Sequence, residues 1–195
     1  MTDQQPQTPA VKPAGAEAIE KAKAILAKLP MAEKFAAGGG LLLLIGIYAL
    51  DFVKTNASGT SSFLTDLSSY NSSTSFADNG GFWLFFGIVA AIAALVLPFI
   101  EMIAPKVKLP FPKAMIYFVA GIVGALAPVM KYMLTDNKST SLYGITIKIV
   151  PDIGMYLMVA AGALIAYGGF QSGGMQQLMA FFGKAKTTPP AAPQA

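Results

Sequence analysis

Four stretches of this chain are apolar over the length needed to cross a lipid bilayer, and that feature limits the possible folds more than any other. A hydrocarbon core roughly 30 Å thick takes about 20 helical residues to span. The segments at about 35–53, 81–104, 114–134 and 153–170 meet that length. None alternates with the 3.6-residue period of a helix lying on water, because lipid and neighbouring helices are both apolar. A soluble bundle would have to cover all four helices on every side, and the rest of the 195 residues is too short to do so. The expected fold is an all-α membrane protein, a four-transmembrane-helix bundle occupying residues 31–170.

Composition removes whole classes of function. Only 12% of residues are charged, against about 25% in a soluble domain, so there is no dense basic face for nucleic acid. The chain has no Cys, no His and no Arg. Disulfides, thiolate metal sites and a Cys nucleophile are therefore excluded, as is haem or chlorophyll ligation by His. The patterns H-E-x-x-H, G-x-S-x-G, G-x-G-x-x-G and the P-loop are all missing. No enzyme, cofactor or metal site is expected.

Orientation follows from lysine. Ten lysines fall in residues 1–34, in the connection between spans two and three, and in the C-terminal tail. Only Lys54, Lys131, Lys138 and Lys148 fall on the other side. Short Lys-rich loops stay in the cytoplasm. Both termini are thus expected to be cytoplasmic, with the two longer loops outside. About 34 residues precede the first span, which is expected to be retained as an anchor rather than cleaved. In outline this topology resembles claudin-type tetraspan proteins, although the paired outer cysteines of that family have no counterpart.

The flanks read differently from the spans. Residues 1–13 and those from about 187 onward are rich in Pro, Gln, Thr and Ala and are expected to be disordered tails, the second within a cytoplasmic tail at 171–195. Residues 14–30 place Ala18, Ala22, Ile25, Leu26 and Leu29 on one helical face. With Lys21, Lys23 and Lys28 nearby, this segment is expected to be an interfacial helix on anionic lipid headgroups. Phe63, Leu67 and Tyr70 suggest a two-turn helix in the first outer loop. Ile145, Ile147 and Ile149 alternate with Thr146 and Lys148, a strand period that requires a partner strand. Asn56, Asn71 and Asn137 begin N-x-S triplets in these loops, the acceptor pattern for glycosylation in a secretory protein. Loops free of Cys fit a bacterial protein better.

Small residues recur four apart in every span. Gly87 lies with Ala91, Gly121 with Ala125, Gly124 with Ala120, and Gly162 with Ala166. Such spacing lets helix backbones approach closely, within one chain or between chains. Pro98 and Pro128 should kink spans two and three. Asp51, Glu101 and Lys131 are the charges within the spans, all close to span ends. An acid at mid-membrane would mark an ion route, and none is present. Asp51 and Lys131 lie at similar outer depth, so an ion pair tying spans one and three is expected. The expected role is a non-enzymatic accessory or scaffold component of a bacterial cell-membrane complex, with a protein partner or self-association through small-residue faces. The alternatives are a homo-oligomeric, holin-like pore and, more weakly, a lipid or small-molecule carrier using the Pro-kinked spans.

Overall fold

The computed structural model describes residues 23–24, 27–59, 72–103, 109–135, 139–142 and 145–186. Ahead of Met31, residues 23–24 and 27–28 are helical, and Lys23 and Lys28 are exposed. Lys21, the two-turn helix expected at 63–70, and the triplets at Asn71 and Asn137 lie outside the described residues.

Four long helices form the body of the segment after Pro30. They are α1 (Met31–Tyr48), α3 (Phe82–Ile103), α4 (Lys113–Met133) and α5 (Ile153–Gln171). Each is long and apolar enough to cross a membrane. α1 packs on α3 and α5, and α4 packs on the same two, so α1 faces α4 across the bundle diagonal. The described residues also form the single turn α2 (Phe76–Asn79), the tail helix α6 (Gly174–Lys186) and four strands.

The strands are β1 (Asp51–Gly59), β2 (Ser73–Ser75), β3 (Ser139–Leu142) and β4 (Ile145–Pro151). They form one antiparallel sheet in the order β2-β1-β4-β3. The central pair runs in register from Val53 opposite Pro151 to Gly59 opposite Ile145. β1 follows α1 after two residues, and β4 leads into α5 through Asp152 alone. Since α1 and α5 are neighbours, the sheet's central strand pair continues two adjacent spans beyond the end of the bundle. The partners that β4 requires are therefore β1, from the connection between α1 and α3, and β3, both of the same chain.

The first helix ends earlier than its hydropathy suggests. Leu50, Phe52 and Val53 extend the apolar run to residue 53, yet α1 stops at Tyr48 and the chain turns into β1. Phe52 and Val53 are buried, with Phe52 stacked edge-on against Phe76 of α2 at a centroid distance of 4.8 Å. An apolar run of this kind serves a buried strand as well as a helix, and periodicity does not separate the two. Ser75 caps α2 by accepting from the Asp78 amide at 3.2 Å, while its hydroxyl donates to Asp78 Oδ2 at 2.7 Å.

The core runs the length of the bundle through Leu43, Ile47, Ala90, Ala94, Tyr117 and Met158, ending on Phe52 and Phe76 beneath the sheet. Among the described residues no charged side chain is buried in it, and the Tyr117 hydroxyl is a polar group enclosed there.

Candidate functional site

The small residues show which surfaces are already occupied. A Cβ on Gly121 would collide with the backbone of Ala166, and one on Gly162 with that of Ala125. These two glycines, four-residue partners of Ala125 and Ala166 respectively, interlock α4 and α5. A Cβ on Gly124 would come within 3.0 Å of Leu43 and 3.3 Å of Ala90, so this glycine sits where α4 meets α1 and α3. A Cβ on Gly87 would lie 3.3 Å from Ile47 of α1. All four glycines are buried within one chain. Pro98 and Pro128 are buried as well, and each leaves the carbonyl four residues earlier, at Ala94 and Gly124, without its helical donor.

The charges sit elsewhere than expected. Asp51 is the first residue of β1 and Lys131 lies in the last turn of α4. They do not form an ion pair: α1 has already ended at Tyr48, and Asp51 lies on β1 opposite Ser75 of β2. The tie between α1 and α4 is at the opposite end of the bundle. There Lys113 Nζ donates to Glu33 Oε1 at 3.5 Å, with side-chain exposures of 16% and 18%. Glu101 lies in the last turn of α3.

At the sheet end, Lys54 of β1 donates to Asp152 Oδ2 at 2.7 Å. Asp152 is the residue before α5, where a negative charge also favours the helix N-terminus. The Lys54 hydrogen bond holds the Asp152 carboxyl below its ordinary value, helped by the Ile153 amide and opposed by burial. The same bond raises Lys54, aided by the charges of Asp152 and Asp51. The Asp152 amide donates to Phe52 O at 3.0 Å, so strand and helix are joined through backbone and side chain together. Tyr132 adds a long contact from α4 by donating to Ile149 O at 3.4 Å.

Between α3 and α4 lies a groove of about 360 Å³. Phe86, Val89 and Ala93 line one wall, while Met115, Val119 and Val123 line the other. Phe111 closes one end, its ring stacked on Phe181 of α6 at 5.6 Å. Every lining residue is apolar. At the other end, Phe86 belongs to an aromatic cluster with Phe82, Trp83 and Phe85 at the start of α3. This cluster and Phe111 lie toward opposite ends of the α3–α4 pair, one at the start of α3 and the other just before α4. The helix α6, in the segment expected only to be a tail, exposes Met175, Met179, Phe181 and Phe182. The signal for it was weak, because Gln, Gly and Lys interrupt its apolar positions.

Among the described residues, no three His, Cys, Asp or Glu side chains gather as a metal site would need. Taken together, the bundle and its sheet define a polytopic membrane protein whose helices contact the lipid bilayer. No family model matches the chain, and no characterised protein matches it in sequence.

Proposed function

We propose that this protein is a non-enzymatic accessory or scaffold subunit of a membrane complex, presenting its two-loop sheet to a partner. The observation that carries this reading is the occupation of the close-packing glycines by helices of the same chain. Gly121, Gly162, Gly124 and Gly87 already meet Ala166, Ala125, Ala90 and Ile47. A pore built by self-association would need such faces free for other copies. It would also need a polar face on the spans, whereas the exposed residues of α3 include Phe85, Val89, Ile92 and Val96. What stays open to a partner is the sheet, with the short polar strands β2 and β3 at its edges.

The lysine distribution supports both termini in the cytoplasm and the sheet outside, and loops free of Cys support the cell membrane of a bacterium. The full chain, extracted from its native membrane in mild detergent, should run with a second polypeptide in fixed ratio. Reconstituted alone in liposomes, it should leave an entrapped dye in place. A lone homo-oligomer that releases the dye would overturn the accessory reading in favour of the pore.

A further inference from the structure

The tail helix α6 leaves an apolar face uncovered where the chain has just left the bilayer. α5 ends at Gln171, and the amide and hydroxyl of Ser172 both donate to Gly168 O, at 3.3 Å and 3.1 Å. Gly173 then takes φ +81°, a left-handed turn that costs glycine little, and α6 begins at Gly174. Two residues separate the span from α6, so α6 starts at the membrane surface.

Its packing keeps it there. A Cβ on Gly174 would strike the backbone of Ala114, the second residue of α4. Two turns later the Phe181 ring stacks edge-on against Phe111 at 5.6 Å. Phe111 itself lines the side of the bundle with Ala93 of α3 and Met115 of α4. From Gly174 to Phe181, α6 therefore stays beside the first residues of α4, neither climbing toward the middle of that span nor leaving the bundle.

The side left free is apolar. Met175, Met179 and Phe182 follow at i, i+4 and i+7, so they share one helix face, and they are 41%, 57% and 61% exposed. Gln176, Ala180 and Gly183 are exposed further round the helix. No residue from Gly174 to Gly183 is charged, so immersing this stretch desolvates no ion.

Continuity identifies what covers that face. Phe181 stacks on Phe182 at 5.9 Å as well as on Phe111. The three rings thus lead without a break from the lateral surface of α3 and α4 to the free face of α6. Those two helices cross the bilayer and contact its acyl chains along that surface. We propose that α6 is an in-plane interfacial helix, with Met175, Met179 and Phe182 immersed at the headgroup–acyl boundary of the same bilayer. A helix anchored in this way fixes the depth of its end of the bundle, whatever the sheet binds at the other.

The chain's single Trp, Trp83, makes the test direct. Full-length Trp83→Phe protein carrying Met175→Trp, Phe182→Trp or Ala180→Trp is reconstituted in phosphatidylcholine vesicles. The lipids carry bromine, which quenches a neighbouring indole, near either the headgroup end or the methyl end of the acyl chain. Met175→Trp and Phe182→Trp should be quenched more by the shallow bromines than by the deep ones, both reporting a depth of about 5–10 Å. Iodide in the water should quench Ala180→Trp, which lies nearly opposite Phe182 on the helix, and spare the other two. Two turns along the bilayer normal would separate Met175→Trp from Phe182→Trp by about 10 Å in depth, and that difference would overturn the in-plane placement. Iodide quenching of Phe182→Trp as strong as that of Ala180→Trp would put the face in water and overturn the lipid contact. Protection of Met175→Trp and Phe182→Trp from iodide and from both brominated lipids would overturn it too, because protein would then cover the face. Spin labels on cysteines at the same three positions, with Trp83 retained, give the same depths where the Trp83→Phe background does not fold.

Discussion

At the scale of single residues, the bundle is held by contacts that admit no extra atom. Gly162 is the sharpest case, because a Cβ there would overlap the Ala125 backbone rather than a side chain that can turn away. Overpacking a close-packed interior costs about 1–3 kcal/mol, occasionally more. Gly162→Ala should therefore lower the thermal stability of the detergent-solubilised protein by about 3 kcal/mol, separating α4 from α5. Gly38 on α1 is exposed, and a Cβ there meets nothing within 4 Å. Gly38→Ala should raise stability by up to about 1 kcal/mol, the helix-propensity difference between the two residues. Equal effects at the two positions would mean that close approach does not govern this fold. The spacing of these glycines was legible in the sequence, but their partners were not, since Gly-x-x-x-Ala suits contact within a chain and between chains equally.

At the scale of elements, the spans were readable and their junctions were not. Twenty apolar residues admit few arrangements in a bilayer, so the bodies of α3, α4 and α5 follow from hydropathy. The strand period of Ile145, Ile147 and Ile149 pointed to β4. β1 carries no such pattern: Asp-Phe-Val-Lys-Thr-Asn-Ala-Ser-Gly reads as the polar exit of a helix. Its conformation depends on pairing with β4, nearly a hundred residues later, which no local window contains. The expected Asp51–Lys131 pair failed for the same reason, because it assumed that Asp51 was still on a helix. The contact that ties strand to span is instead Lys54–Asp152, and its pH dependence has a definite sign. Asp152 titrates below its unfolded value, so its contribution is complete above the ordinary carboxylate range and disappears as pH falls through the lowered value. Lys54 titrates above its unfolded value, so its share is complete below the ordinary lysine range and disappears as pH rises through the raised one. Amide exchange protection in β1 and β4, corrected for the intrinsic exchange rate, should be flat from about pH 5 to pH 9 and should fall on either side. Asp152→Asn should remove the acid-side fall attributable to this pair. Persistence of the full acid-side loss in that variant would assign it to another group.

At the scale of the whole molecule, polarity is segregated by end as well as by depth. One end carries the sheet, with Lys54 and Lys148 among its charges. The other carries the start of α1, the start of α4 and α6, and the Glu33–Lys113 tie between the diagonal helices. Because β1 and β4 are continuous with α1 and α5, the sheet cannot leave the first end without unpicking the register from Val53 to Gly59. The ends are therefore fixed relative to each other, and only their assignment to the two sides of the membrane depends on lysine. Since the chain has no Cys, single cysteines test that assignment without background. Ser58→Cys in β1 and Ser139→Cys in β3 should react with an impermeant thiol reagent applied to intact cells. Ala185→Cys in α6 should react only after the cells are opened. Labelling of all three in intact cells would mean that the chain is not uniformly oriented, while labelling of Ala185→Cys alone would invert the topology. A split between Ser58→Cys and Ser139→Cys, one labelled and the other silent in both preparations, would show a partner or the first outer loop shielding one side of the sheet. That last pattern would also locate the covered edge, because β3 is an edge strand and β1 is central.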